Sequence, residues 1–189
     1  GNSTTGITRT QTSVNNIGST NKYYSTSQGG HDIWDADSYL NIWVCALSSS
    51  LLGFTQSPGG PSSSDGAVID YKYFGKTGAA APFNLGRTAT HEIGHWFNLE
   101  HVWGNSGGCN NDDGVNDTPM QSSDSYGCPS SQATCGSDDM YMNFLDYVND
   151  NCMNIFTLGQ KTRMWATINT QRSSLFNSQG CAGNSTVNA

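Results

Sequence analysis

The chain has 189 residues, 35% of them hydrophobic, enough for one substantial core or for two lobes around a cleft. Its net charge of −7, with only eight Lys and Arg, argues against a nucleic-acid or anionic-membrane surface. No apolar run approaches the roughly 18 residues that span a bilayer, and the chain opens at Gly1 in a polar stretch, as a processed mature domain would.

Residues 1 to 38 are rich in Ser, Thr, Asn and Gly and read as extended chain with few apolar anchors. Tyr39 to Leu47 (YLNIWVCAL) has the β-branched and aromatic content of a buried strand, and Leu51 to Gln56 reads as a second, shorter one. A loop follows over Ser57 to Asp65 (SPGGPSSSD), then a third strand over Ala67 to Phe74 (AVIDYKYF). Asn84 to Asn98 reads as a helix with Asn84 as N-cap and a core-facing stripe of Ala89, Ile93 and Trp96 or Phe97. From Gly104 to about Asp139 the chain is Gly-, Asn-, Asp- and Ser-rich, a length of irregular backbone that needs cross-links or bound ions to stay ordered. Thr157 to Leu175 restores a helix, with Thr157 and Gln160 as a capping box and Met164, Ile168 and Leu175 on its buried face. Strands first, a central helix, an irregular half and a closing helix predict an α+β domain.

Six cysteines sit in loop-like contexts such as GGCNND and YGCPSS, and no CxxC pair occurs. Disulfides are the expected use, and they place the chain outside the reducing cytosol. Six cysteines allow fifteen pairings, among which sequence alone does not choose. Sequons stand at Asn2, Asn116 and Asn184, a triplet common by chance.

The informative segment is HEIGHWFNLEH, residues 91 to 101. His91 and His95 are one helical turn apart and project from one face, so both imidazoles can reach one tetrahedral metal, for which zinc is the natural choice. Glu92 follows the first ligand and is placed to act as general base and acid on a water that the zinc activates. His101 lies six residues beyond His95, too far for the same helical face, so the helix must end first. Asn98 stands where that turn is needed and tolerates left-handed backbone. Three histidines leave a fourth position open, the mark of a catalytic rather than a structural zinc. His31, outside this group, reads as structural or solvent-facing.

HExxHxx(G/N)xxH is the metzincin signature. TATHEIGHWFNLEHVWG, DDGVNDTP and NFLDYVNDNCMNIFTLGQKTRM, with the upstream YLNIWVCALSSSLLGFTQSPGG and DGAVIDYKYFG, resemble the pappalysin family, notably its ulilysin-like secreted members. The resemblance covers residues 39 to about 176. It implies a two-lobed metzincin fold: a twisted mixed sheet and the active-site helix in an upper lobe (about 1–101), and an irregular, disulfide-rich lower lobe with a C-terminal helix (about 102–189), the two forming one catalytic domain, 1–189.

The resemblance further implies Cys109–Cys135 and Cys128–Cys152 disulfides, leaving Cys45 for Cys181. It makes Tyr147 the residue that stabilises the oxyanion. It also makes the acidic loop NNDDGVNDTP a calcium site, with Asp112, Asp113, Asp117 and Thr118 as ligands and Asp124, Asp138 and Asp139 as further candidates. Asp150 and Asn151 would read a basic residue just after the cut. Leu145 stands two residues before Tyr147, where most members have the Met of the Met-turn; as an apolar floor of similar volume it is a mild departure. The implied activity is that of a secreted, monomeric zinc endopeptidase acting on protein or peptide substrates, with an inhibitory pro-segment preceding Gly1. The competing readings are a secreted zinc-containing binding module without turnover and another zinc-dependent hydrolase such as an amidase.

Overall fold

A computed structural model describes residues 6–48 and 50–179. Cys181, the expected partner of Cys45, and the sequons at Asn2 and Asn184 lie outside the described residues. The fold is of mixed α+β type, with three strands in the order β1-β3-β2: β1 (Asn41–Cys45), β2 (Gly53–Thr55) and β3 (Gly66–Asp70). β1 runs parallel to β3, pairing Trp43 with Val68, and β2 runs antiparallel to β3, pairing Phe54 with Val68 and Gly53 with Ile69. Central β3 is buried along its whole length, which is why its sequence GAVID shows no polar alternation.

Each strand is shorter than its predicted span, and for β3 the reason is local. Asp70 Oδ1 accepts from Lys72 N (2.9 Å) and Oδ2 accepts from Leu47 N (3.0 Å). One carboxylate thus ends two neighbouring strands, and the chain turns into a single 3-10 turn, Tyr71–Tyr73, instead of running on to Phe74.

Strand residues alternate between faces. Val68, Phe54 and Trp43 face a cluster built with Ile17, Tyr23 and Leu47, so the irregular N-terminal stretch supplies a core layer that its composition did not announce. Gly53 faces the other way, onto helix α1 (Arg87–Trp96). The predicted helical stripe needs correction. Trp96 is buried, but Ala89 and Ile93 are only half-buried, and the buried set includes Thr88, His91, Glu92 and Gly94. A helix that carries a site turns functional polar groups inward, and apolar periodicity does not see them.

The N-cap also differs from expectation. It is Gly86 (φ 81), not Asn84, and no side chain of the cap residue bonds the first turn. The carboxylate of Asp150 does so from far along the chain, its Oδ2 accepting from Leu85 N (2.7 Å) and Arg87 N (3.2 Å). An anion at the positive end of the helix is favourable on both hydrogen-bond and dipole grounds.

Helix α2 (Leu158–Thr170) begins with the predicted capping box of Thr157 and Gln160. It stops before Leu175 because Gln171 N and Arg172 N both turn back to Thr167 O. The Arg172 side chain is drawn to Asp65, with contacts of 2.6 and 2.9 Å, and its Nε donates to Trp96 O (3.0 Å). A second apolar cluster of Leu99, Val102 and Leu145, with Trp103, Phe144, Phe156 and Met164 against it, lies beyond α1. Disulfides Cys109–Cys135 and Cys128–Cys152, with Cα separations of 5.4 and 5.8 Å, staple the irregular half. Among the described residues no helix is long and apolar enough to cross a membrane.

Candidate active site

Helix α1 ends in a turn that assembles the site. Asn98 takes the left-handed conformation (φ 68); its N–H bonds to His95 O (2.8 Å), and Leu99 N bonds to Gly94 O (3.0 Å). This is a Schellman ending with Asn in the position Gly usually holds. The same turn presents Leu99 O to His95 Nδ1 at 2.7 Å and sends the chain back toward the helix face, bringing in His101.

The three imidazoles converge. Nε2 of His95 lies 3.0 Å from that of His91 and 3.1 Å from that of His101, and the His91–His101 distance is 3.3 Å. His91 Nδ1 lies 2.7 Å from Phe144 O. A carbonyl only accepts, so His91 and His95 carry their proton on Nδ1 and aim the Nε2 lone pair inward. Burial holds all three below the usual histidine range, His101 down to about 4, with neighbouring imidazoles adding to the effect for His91 and His101. They are therefore neutral at physiological pH, the form that binds metal.

The Nε2 lone pairs of His91 and His95 thus aim at one point, with the His101 Nε2 within 3.3 Å of both, an arrangement suited to a shared cation. Tetrahedral zinc at about 2.0–2.1 Å from each nitrogen requires N···N separations close to those present. The donor set fits zinc. Among the described residues this is the one place where three His, Cys, Asp or Glu side chains offer ligand atoms within 4.8 Å of one another.

Glu92 is buried between α1 and β2, and burial pushes its carboxyl up to about 7. A methyl group on Gly53 would stand 3.0 Å from both Cγ and Oε1 of Glu92, so the bare backbone of β2 forms one wall of the carboxylate's slot. Tyr147 is partly exposed at the rim, its Oη 3.1 Å from His101 Nε2. Burial, helped by nearby carboxylates, raises its phenol to about 12, which keeps it a hydroxyl donor. Its backbone is fixed from below by Asp146, which accepts from Tyr147 N and Ser125 N through Oδ1 and from Gln121 Nε2 through Oδ2, each at 2.7 Å.

Leu145, fully buried, packs against Gly94, which lies between the two helical histidines. Asn143 Oδ1 accepts from Leu145 N (2.9 Å), and Asn143 exchanges two hydrogen bonds with Gln160 of the capping box (2.8 and 3.1 Å). The cap of α2 is thereby wired to the floor of the site.

The other sequence candidates fall elsewhere. Asp113 is buried, its Oδ1 accepting from Val115 N (3.0 Å) and Thr118 Oγ1 (2.7 Å) while Oδ2 meets no donor. Burial, with Asp112 alongside, raises its pKa. Asp112 accepts from Gly114 N (3.1 Å), and Asp117 accepts from Gly159 N (2.9 Å) in the first turn of α2. Asp139 is engaged by Thr134 (3.0 Å), Asp138 is exposed, and Asp124 is half-buried. Asp150 is buried at the start of α1, and Asn151 is exposed beside Cys152. His31 hydrogen-bonds to Asp32 O (2.7 Å), and its own carbonyl accepts from Trp43 Nε1 (3.1 Å). Sequence reasoning did not find Gly53, Trp103 or the carbonyls of Leu99 and Phe144. Backbone acceptors leave no trace in composition, and Trp103 could have been noticed only for its nearness to the third histidine.

A peptidase family model described as pregnancy-associated plasma protein-A matches residues 23–169. The chain is similar to an extracellular metalloprotease of Uncinocarpus reesii, 40% identical over 157 residues, which are 77% of this chain and 51% of the relative. An extracellular metalloprotease 1 of Coccidioides posadasii is 51% identical over 90 residues, 46% of this chain and 32% of the relative. The chain thus spans about half the length of the first of these curated relatives and a third of the second. Mature mirolysin of Tannerella forsythia, solved in complex with a cleaved peptide, superposes with a TM-score of 0.87 and 42% identity over 93% of this chain and 70% of that one. A mutant promirolysin of the same organism gives 0.86 and 41%, covering 93% and 62%. Matched by the family model over most of its length and by mirolysin in both sequence and fold, the chain belongs to the pappalysin family of metzincin peptidases.

Proposed function

We propose that this chain is the catalytic domain of a secreted zinc-dependent endopeptidase. The observation that carries the reading is the convergence of three neutral Nε2 atoms beside one buried carboxylate. His91, His95 and His101 would hold the zinc, which supplies Lewis acidity toward a water and a scissile carbonyl. Glu92, buried in its slot against Gly53, accepts the proton of the attacking water and returns it to the leaving nitrogen. The Tyr147 hydroxyl donates to the substrate oxygen on which negative charge develops.

The two apolar clusters, one on the sheet and one beyond α1, support two lobes of a single unit divided near His101. Extracellular location is supported by the relatives' names and by the two disulfides. A preceding inhibitory segment is supported by the similar promirolysin. The proposal includes a structural calcium in the acidic loop, held by Asp112 and by the unbonded Oδ2 of Asp113, with Asp117 and Thr118 bracing the loop. It also includes a preference for a basic residue after the cut, felt as the buried charge of Asp150 behind the exposed amide of Asn151.

The deciding experiment incubates zinc-loaded parent and Glu92→Gln protein with denatured casein and a peptide library. Parent fragments, with turnover in the variant lower by about 10²–10⁴-fold at equal zinc content, are expected. A variant that cleaves like the parent overturns the role of Glu92. A parent that binds zinc and yields no fragments is a binding module. Absence of Arg or Lys enrichment after the cleaved bonds rejects the basic preference.

A further inference from the structure

We infer that Trp103 is a positioning residue for the third metal ligand, its indole orienting the His101 imidazole by stacking. The inference rests on the reading of the three histidines as a zinc site.

The three ligands are not supported alike. His91 and His95 each have Nδ1 anchored to a backbone carbonyl at 2.7 Å, which fixes ring rotation and tautomer together. His101 makes its polar contacts through Nε2, and among the described residues no acceptor meets its Nδ1. Rotation of an imidazole about its outer torsion is soft, so some other contact must hold the ring. The Trp103 indole lies flat on it, centroids 4.4 Å apart and planes 4° from parallel. Tyr147 closes a second side, edge-on at 5.0 Å and 75°, and the indole and phenol brace each other at 4.9 Å and 72°.

Local backbone explains how a residue only two positions from His101 comes to lie on it. Gly104 N donates to His101 O (2.8 Å), closing a four-residue turn, and Gly104 takes a positive φ of 70°. Val102 then points into the apolar cluster, 1% exposed, while Trp103 folds back over His101 with its other contacts on the rim of that cluster.

The stack has a direction of effect on metal binding. An imidazole that donates its lone pair to a cation becomes electron-poor, and an indole face is the best aromatic partner for positive charge. The contact therefore strengthens when metal is bound, and a group that favours the loaded state raises affinity for the metal. Hydrogen-bonding partners that orient metal ligands typically carry about 10–100-fold in affinity, and the stack takes that orienting place for His101.

The test measures zinc dissociation constants by chelator competition, and the visible spectrum of the cobalt-loaded protein, for the parent and for Trp103→Phe, Trp103→Leu and Trp103→Ala. Leu and Ala variants are expected to bind zinc about 10–100-fold more weakly with an altered cobalt spectrum, and Phe, which keeps a flat face, to stay within about threefold of the parent. Thermal unfolding of the metal-free forms separates packing from ligand support. Leu matching Phe in affinity and spectrum means bulk alone is required, and overturns the inference. Ala with parental affinity and spectrum overturns it too. A parent that binds no zinc fails the site reading itself, an outcome distinct from either.

Discussion

Replacing Arg172 by Met probes the contact that ties the end of α2 to the end of the active-site helix. The guanidinium makes a two-pronged pair with Asp65 (2.6 and 2.9 Å), donates to Trp96 O (3.0 Å), and lies 3.6 Å above the Trp96 ring. Both partners are buried, with side-chain exposures of 7% and 10%. Met fills comparable space but leaves the Asp65 carboxylate in the interior with the Trp96 indole N–H (3.1 Å) as its remaining side-chain donor. Stranding one member of a buried ion pair costs about 3–5 kcal/mol. For a chain of this size each kcal/mol moves Tm by about 2–4 °C, so a drop of about 6–20 °C is expected. Urea unfolding of the oxidised protein gives the free energy directly. The double variant Asp65→Asn/Arg172→Met removes the lone charge and should recover about 1–3 kcal/mol of the loss. A single variant that loses under about 1 kcal/mol, or a double variant no better than the single, refutes the account.

Leu145 should tolerate Met with a loss under about 1.5 kcal/mol, whereas Ala, opening a void against Gly94, should lose about 2–5 kcal/mol by denaturant unfolding. Equal losses would mean that volume beneath the metal is not what Leu145 supplies. Gly53→Ala presses a methyl on the Glu92 side chain and should cost about 1–3 kcal/mol, lowering kcat more than it alters KM. Part of that cost should vanish in a Glu92→Ala background, and purely additive stability changes would locate the clash elsewhere. Calcium at about 100 times its dissociation constant should stabilise the parent by about 2.7 kcal/mol. Asp113→Asn should abolish that gain, and a calcium-dependent rise in Tm that survives the substitution refutes Asp113 as a ligand.

The histidine cluster was legible because helical spacing is rigid: His91 and His95 one turn apart share a face whatever surrounds them. The turn at Asn98 was legible for the same local reason, since few residues accept a positive φ, and so was the capping box at Thr157, where both partners lie within one turn. Family resemblance placed the Cys109–Cys135 and Cys128–Cys152 bridges, which spacing alone left among fifteen pairings.

The misreadings share one cause. Asn84 was assigned a cap that Asp150 supplies, 65 residues beyond Leu85, and the apolar stripe of α1 was drawn through Ile93 although Glu92 is the more deeply buried. The polar N-terminal stretch contributes Ile17 and Tyr23 to the core, and Asp70 ends β1 and β3 together. Short-range geometry is written into consecutive residues, because backbone dihedrals and helical periodicity act over a few positions. Which carboxylate caps a helix and which glycine stands against the Glu92 side chain depend on segments meeting across the fold. The spacing of His91, Glu92, His95 and His101 was therefore readable from the chain, while the long-range contacts around Glu92 and Tyr147 emerged only once distant segments were packed together.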